Sequence, residues 1–213
     1  MINRFIQYLS LCLLVFTASA EVPGINLTDK SLSVEIIDSD EKEFFISQTM
    51  DLSGQLYVGC REALYIYEPS EKGGFNPRQE LYRFPKDSWL YDLEVYGNDL
   101  FILTNTALYR IRDAVIRGSK LKPEKLLWGN PQGHFHQGLH GMEFGPTGDL
   151  FLSMGDPQPH MHWDRARPDH LWHWTFYVGP ENKEVSYTGV GAILRYRLED
   201  HSLTVHASGL RNS

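Results

Sequence analysis

The sequence predicts an all-β fold, a β-propeller of four-stranded blades, and three observations support this. Apolar residues alternate with polar ones over short stretches bounded by Gly, Asp and Asn, as in β-strands. Three stretches repeat one pattern: SGQLYVGCREALYIY (53–67), GNDLFILTNTALYRI (97–111), and TGDLFLSMGD with GAILRY (147–196). Successive repeats are 44 and 50 residues apart, which is the length of a propeller blade. A β-sandwich without a rotational repeat is the alternative.

The pattern predicts three blades and one spare strand. The first blade is EFFISQT, LYVGC, ALYIY and QELYRF, and the second is LYDLEV, LFILT, ALYRI and EKLLW. The third is LHGMEF, LFLSM, AILRYRL and LTVHAS, and SLSVEII (31–37) is the spare closing strand. Three blades do not close a ring, and an open ring leaves strand edges unpaired. We therefore expect an incomplete ring, with further blades beyond Ser213.

The beginning of the chain resembles a secretory signal peptide. Arg4 precedes the apolar stretch LSLCLLVF, and Ala18-Ser19-Ala20 supplies small residues for cleavage. The apolar stretch is too short to span a bilayer. We therefore expect residues 1–20 to be removed and residues 21–213 to form a partial propeller, secreted or periplasmic, without a membrane span. That mature chain has one cysteine, Cys60, which we expect to be buried in a strand.

Composition excludes one class of partner. The chain is 42% hydrophobic and 22% charged, which is typical of a folded globular domain. Its formal net charge is −7, whereas a protein that binds nucleic acid needs a basic face for the phosphates. We therefore expect no nucleic-acid partner.

The third repeat contains an insertion. Leucine and alanine are 7 residues apart in the first two repeats and 42 apart in the third, so 35 residues (157–191) are added there. Because blade strands are antiparallel, the insertion shares one end of the propeller with 129–138 and 209–212. We expect it to wall a pocket at that end, with tryptophan rings stacking on a planar cofactor or a sugar. The alternative is a loop that packs its own aromatic side chains into a small separate core.

GLHGMEFGPTGDLFLSMGD (138–156) followed by ASGLRN (207–212) resembles the glucose/sorbosone dehydrogenase family. These are secreted β-propeller enzymes that use pyrroloquinoline quinone (PQQ), and the resemblance extends to bacterial secreted propellers of the membrane-bound dehydrogenase type. It covers roughly residues 134–213. It implies a PQQ-dependent dehydrogenase that oxidises a sugar or alcohol, with calcium polarising the quinone. A c-type haem acceptor would lie in missing sequence, since no Cys-x-x-Cys-His occurs here.

The resemblance assigns roles to several residues. Arg211 and Asn212 match the family's Arg-Asn pair, which binds the cofactor. The family's general base is a histidine at the position of Gln137, so His136 and His140 are the candidate catalytic bases. Further candidates for holding the cofactor lie in the insertion: Trp163, Arg165 and Trp172.

Two other functions fit the same residues. The pairs His134-x-His136 and His160-x-His162, with Asp156 adding an oxygen ligand, have the composition of a transition-metal site. A non-catalytic propeller that binds a carbohydrate or a protein partner is the other alternative, because the propeller fold hosts many functions.

Overall fold

The structure, a computed structural model, describes residues 34–116, 122–129, 138–155, 172–189 and 191–210, together with Ser31. These residues form β-strands joined by turns, and none of them belongs to a helix long and apolar enough to cross a membrane. The strands are β1 Ser47–Met50, β2 Leu56–Gly59, β3 Ala63–Tyr67, β4 Gln79–Arg83, β5 Leu90–Tyr96, β6 Asp99–Thr104, β7 Ala107–Ile111, β8 Glu124–Trp128, β9 Leu139–Phe144, β10 Leu150–Met154, β11 Trp172–Val178, β12 Lys183–Gly189, β13 Gly191–Tyr196 and β14 Leu203–Leu210.

The strands form three antiparallel sheets, which are the three predicted blades. Blade 1 has the order β1-β2-β3-β4, and blade 3 has the order β9-β10-β13-β14. Blade 2 contains β5-β6-β7-β8 and continues through β11 and β12 at its outer edge. The all-β propeller fold predicted from the repeat is therefore confirmed. Strands β3, β7, β8, β9 and β10 have the predicted bounds, whereas β1 begins at Ser47 and not at Glu43.

The first strands of the blades, β1, β5 and β9, lie beside one another around the propeller axis. Apolar side chains fill the space between consecutive blades. Tyr57 and Leu64 of blade 1 pack against Leu100 and Ile102 of blade 2. The larger cluster between blades 2 and 3 contains Phe101, Leu103, Leu108, Leu126, Leu127, Leu139, Met142, Phe144, Leu150, Leu152, Met154, Trp174, Phe176, Val178, Ala192, Leu194, Tyr196 and Leu203.

Polar bridges join the inner strands of neighbouring blades. The Ser47 hydroxyl donates a hydrogen bond of 2.7 Å to the Leu90 carbonyl, which links blade 1 to blade 2. The Met142 N–H donates one of 2.8 Å to Asp92 Oδ2, which links blade 3 to blade 2. Burial raises the pKa of the Asp92 carboxyl above its ordinary value. These two hydrogen bonds fix the position of each blade relative to its neighbour. Their donors and acceptors meet only because the blades pack together.

The segment 34–46, which we name the strap, covers the face of blade 1 that points away from blade 2. The Tyr65 hydroxyl donates a hydrogen bond of 2.7 Å to Glu43, and the Tyr67 hydroxyl donates one of 2.8 Å to Asp38. Under the strap Cys60 is fully buried, and desolvation raises the pKa of its thiol to about 12. Cys60 is buried as predicted, but it lies one residue beyond the end of β2 and not in the strand. The spare strand predicted over 31–37 is not formed at residues 34–37, because the strap binds blade 1 mainly through side chains.

The second half of the insertion forms a hairpin, which corrects the expectation of a loop. β11 and β12 pair along their whole length, and Tyr177 and Val178 of β11 pair with Trp128 and Leu127 of β8. The apolar residues on one side of β11, Trp174, Phe176 and Val178, are buried between blades 2 and 3. This half therefore belongs to the main core between blades 2 and 3, and not to the small separate core of the alternative interpretation.

Candidate functional site

Connections at one end of the propeller meet around a cleft. The cleft has a volume of about 360 Å³ and is lined by Lys42, Glu43, Phe44, Arg61, Glu62, Arg83 and Trp89. These residues come from the segment before β1, the β2–β3 connection, the end of β4 and the β4–β5 connection. We name this end, formed by 42–44, 60–62, 84–89 and 105–106, the mouth. Because blade strands are antiparallel, the connection between the second and third strands of a blade is expected at the same end as the connections that lead into first strands. We name this reasoning the parity argument. In blade 1 the two kinds of connection do lie at one end.

A row of ring side chains crosses the mouth from blade 1 to blade 3. The Phe44 and Trp89 rings meet edge to face with centroids 6.1 Å apart, and the Trp89 and Tyr91 rings stack at 6.5 Å. The Tyr91 and His140 rings meet edge to face at 5.6 Å. Phe44 is 67% exposed, and the other three rings are half-buried. The row therefore offers aromatic surface to solvent in the part of the mouth nearest the cleft.

Trp89 has an unusual backbone conformation. Its φ is 43°, in the left-handed region that bulky residues rarely adopt. The Trp89 N–H donates a hydrogen bond of 2.7 Å to the Arg61 carbonyl, and the next N–H, of Leu90, donates one of 3.1 Å to the Cys60 carbonyl. Two connections of the mouth are thus bonded to each other, and these bonds hold the strained conformation. Strain of this kind is concentrated at functional sites.

A second strained residue, Asp87, organises charge around the tryptophan. Its φ is 63°, and its N–H donates a hydrogen bond of 3.0 Å to the Glu62 carboxylate. The Asp87 carboxylate forms an ion pair with Arg61. The Arg61 guanidinium carbon lies 4.9 Å from the centre of the Trp89 ring, which is cation–π distance. Arg61 therefore lies over one face of the ring and supplies donors at the edge of the cleft.

The far wall of the cleft is also charged. Arg83 forms ion pairs with Glu80 at 2.5 Å and with Glu43 at 3.7 Å. Lys42, on the strap, lines the same cleft and is exposed. The cleft thus combines an aromatic surface with both donors and acceptors of hydrogen bonds.

One predicted site residue, His140, lies on β9, at the blade 3 end of the ring row. Trp172 is the first residue of β11, on the hairpin beside blade 2. The other predicted site residues lie outside the described residues: His134, His136, Asp156, His160, His162, Trp163, Arg165, Arg211 and Asn212. Their predicted roles in catalysis, cofactor binding and metal binding therefore stay predictions. Among the residues that the structure describes, no three His, Cys, Asp or Glu side chains come together as metal ligands.

Sequence reasoning missed the residues that line the described cleft, above all Arg61 and Trp89. The parity argument was applied to the third blade, where histidine and tryptophan are concentrated. Applied to the first blade, it selects 60–62 and 84–89, which contain both residues. A usable signal was therefore present in the repeat itself.

Comparison with known proteins gives matches among solved structures. No family model and no curated protein matches the chain. The chain is similar to a selenomethionine-substituted virginiamycin B lyase from Staphylococcus aureus, with 15% identity over 80% of this chain and 57% of that chain and a TM-score of 0.42. A streptogramin B lyase structure matches with 11% identity, 79% and 58% coverage and a TM-score of 0.41. The chain thus spans less than two thirds of the length of both.

A third match is a catalytically inactive virginiamycin B lyase from Staphylococcus aureus with quinupristin, at 10% identity, 84% and 75% coverage and a TM-score of 0.41. The resemblance to the glucose/sorbosone dehydrogenase family is therefore wrong, because these neighbours belong to a different family of enzymes and no model of the dehydrogenase family matches. The short motifs that carried it, FGPTGDLF above all, also serve as the turn and strand of an ordinary propeller repeat. At these identities and TM-scores, the lyase activity of the neighbours does not transfer to this chain.

Proposed function

We propose that this chain is a carbohydrate-binding propeller that takes a sugar ring against Trp89 at the mouth. The observation that carries the proposal is the strained Trp89, held by hydrogen bonds that its N–H and the Leu90 N–H donate to the β2–β3 connection, with its ring at the edge of the cleft. A rigid aromatic face that is ordered before the ligand arrives costs little entropy on binding. This choice replaces the dehydrogenase that the family resemblance implied.

The polar residues around Trp89 match the outer part of a sugar. The apolar face of the sugar ring lies on the indole, and its hydroxyls then point toward the sides of the cleft. Arg61 donates hydrogen bonds there, and Glu62 accepts them. Phe44, beside Trp89, extends the aromatic surface for a second ring. A cleft of about 360 Å³ is large enough for one or two sugar units.

The predicted leader supports the same function. A signal peptide at 1–20, as the sequence predicts, would place the mature protein in the periplasm or outside the cell, where carbohydrate polymers are accessible. We therefore propose a secreted or periplasmic binding protein.

Titration with neutral mono- and oligosaccharides, followed by calorimetry and by tryptophan fluorescence, tests the proposal. We expect one binding site per chain, and a weakening of at least about tenfold in Trp89→Ala, because a central aromatic residue carries a large part of such binding energy. Trp89→Phe keeps a smaller ring and should bind with intermediate affinity.

Trp128→Ala is the matched control. Trp128 is also a half-buried tryptophan stacked on a tyrosine, Tyr177, but it lies on β8, the fourth strand of blade 2, and does not line the cleft. We expect its substitution to leave saccharide affinity unchanged. Equal affinity of the Trp89→Ala variant and the unsubstituted protein, or no saccharide binding at all, would contradict the proposal.

A further inference from the structure

The strap supplies one wall of the cleft at the mouth. Three consecutive strap residues, Lys42, Glu43 and Phe44, line the cleft, and the Phe44 ring meets the Trp89 ring at 6.1 Å. No β-strand forms within 34–46, so a sheet does not hold this wall in place. The position of the wall therefore depends on the individual groups that attach the strap to blade 1.

Arg78, immediately before β4, attaches the strap at three of its residues. Its Nη1 donates a hydrogen bond of 3.0 Å to Asp38 Oδ2, and its Nη2 donates one of 2.5 Å to Asp40 Oδ2. The guanidinium carbon also lies 5.8 Å from the centre of the Phe45 ring on the strap and 4.7 Å from that of the Tyr65 ring on blade 1. Arginine suits this role, because a planar guanidinium binds two carboxylates and lies against aromatic rings at the same time.

Asp40 connects this attachment to the cleft. Its Oδ1 accepts a hydrogen bond of 2.9 Å from the Lys42 N–H, and its backbone carbonyl accepts one of 3.3 Å from the Glu43 N–H. One carboxylate therefore binds the guanidinium through Oδ2 and the following turn through Oδ1. The Lys42 N–H and the Arg78 guanidinium lower the pKa of this carboxyl, so it stays charged in neutral solution. Fixing Asp40 thus also fixes the residues that follow it into the cleft.

Arg78 itself does not line the cleft, so it acts on a ligand there only through the strap. Its side chain is 23% exposed, and those of Asp38 and Asp40 are 26% and 28% exposed. Ion pairs that are partly shielded from water are screened less by salt than fully exposed pairs. Among the residues that the structure describes, Arg78 is the only side chain that forms an ion pair with Asp40. Loss of the guanidinium would therefore leave this carboxylate without a cation.

We propose that Arg78 is a positioning residue for the saccharide site, because it holds the strap so that Phe44 lies beside Trp89 as the second aromatic surface. This inference rests on the proposed function, but the ordering of the strap is measurable without a saccharide. Without the guanidinium, the two strap carboxylates repel each other, and the turn that they hold moves away from the cleft. Trp89 keeps its place, because its hydrogen bond goes to the β2–β3 connection. A saccharide then loses the contact with Phe44 and keeps the one with Trp89.

Amide hydrogen exchange, followed residue by residue in the free protein, tests the ordering of the strap. We expect Arg78→Gln to speed exchange at Lys42 and Glu43 by at least about tenfold, because opening of their turn no longer requires breaking the ion pair. The Ile46 N–H, which donates a hydrogen bond of 2.8 Å to the Gly59 carbonyl, should keep its exchange rate. Unchanged exchange at Lys42 and Glu43 would overturn the proposal.

Saccharide titration followed by calorimetry tests the consequence for binding. We expect Arg78→Gln to weaken the affinity about three- to tenfold, less than Trp89→Ala does, because the central ring stays in place. Arg78→Lys keeps a cation that pairs with one carboxylate at a time, so it should recover part of the affinity. Arg195→Gln is the matched control and should leave the affinity unchanged, because Arg195 is also a partly exposed arginine paired with an aspartate, Asp149, but lies in blade 3.

A double-mutant cycle with Phe44→Ala separates positioning from a general loss of stability. If Arg78 acts through the strap wall, Arg78→Gln should weaken binding by less than about twofold once the Phe44 ring is absent, since the two substitutions then remove the same contact. An equal loss of affinity with and without the Phe44 ring would refute the positioning role. If the unsubstituted protein binds no saccharide, the carbohydrate-binding proposal fails, and the exchange measurement still decides whether Arg78 orders the strap.

Discussion

Replacing Trp174 by alanine tests whether the hairpin of the insertion belongs to the core. Trp174 lies on β11, is 1% exposed, and is in the apolar cluster between blades 2 and 3. Truncating a fully buried tryptophan to alanine costs about 3–5 kcal/mol, because the lost transfer energy is joined by the energy of the cavity left behind. In a domain of this size, each kcal/mol lowers the melting temperature by about 2–4 °C. We therefore expect the melting temperature of Trp174→Ala to fall by about 6–20 °C.

The indole N–H of Trp174 makes the phenylalanine variant informative. This N–H is buried without a hydrogen-bond partner among the described residues. An unpaired buried donor costs about 1–3 kcal/mol, so replacing the indole by a phenyl ring removes a penalty while leaving a smaller cavity than alanine does. We expect Trp174→Phe to lose less than half of the stability that Trp174→Ala loses.

Urea unfolding followed by circular dichroism measures both variants, with Trp128→Ala as the comparison because Trp128 is only half-buried. If Trp174→Ala unfolds within about 0.5 kcal/mol of the unsubstituted protein, as a surface substitution does, the hairpin does not pack between the blades and the proposed core is wrong. A loss in Trp128→Ala as large as that in Trp174→Ala would also contradict the argument from burial.

Two further predictions concern single sites. Burial raises the pKa of the Asp92 carboxyl, so its ionisation costs stability. In urea titrations we expect the unsubstituted protein to lose free energy of unfolding relative to Asp92→Asn as the pH rises from about 4, the unfolded-state pKa, through the raised folded-state pKa. A difference between the two proteins that does not change with pH would contradict this. Gly129 has a φ of 106°, and a Cβ there would lie 2.6 Å from the Thr175 carbonyl oxygen, whereas Gly97 has a φ of 63° and open space around it. Gly129→Ala should therefore destabilise by at least about 1 kcal/mol more than Gly97→Ala in thermal unfolding, and equal losses would show that backbone conformation alone decides.

The strands were predictable because their signal is local. Alternation fixes which residues of LFILT and ALYRI point to each side, and the repeat fixes how those strands are ordered within a blade. β7 and β8 accordingly have the predicted bounds. β1 was predicted too long because EFF alternates poorly, and the strap that contains these residues is held by side chains of blade 1.

The described site was less predictable. His140 was selected from a motif and lies at the end of the ring row, but Trp89 gave no signal as a single residue. Its importance comes from a left-handed backbone and a hydrogen bond to Arg61, 28 residues earlier in the chain. Contacts of this kind depend on how two connections meet at the mouth, and no short sequence pattern encodes that meeting.

The sequence by itself determined the blade, because a blade is built from neighbouring strands whose periodicity is written in consecutive residues. Only the tertiary structure decided where the insertion went. TFYVGPENKEVSYTG contains alternating residues around a turn, so a hairpin was available, but the free edge that it joined belongs to β8 in a different blade. The choice among exposed edges depends on distance and on buried area across the folded molecule. It therefore appears only when the blades are assembled.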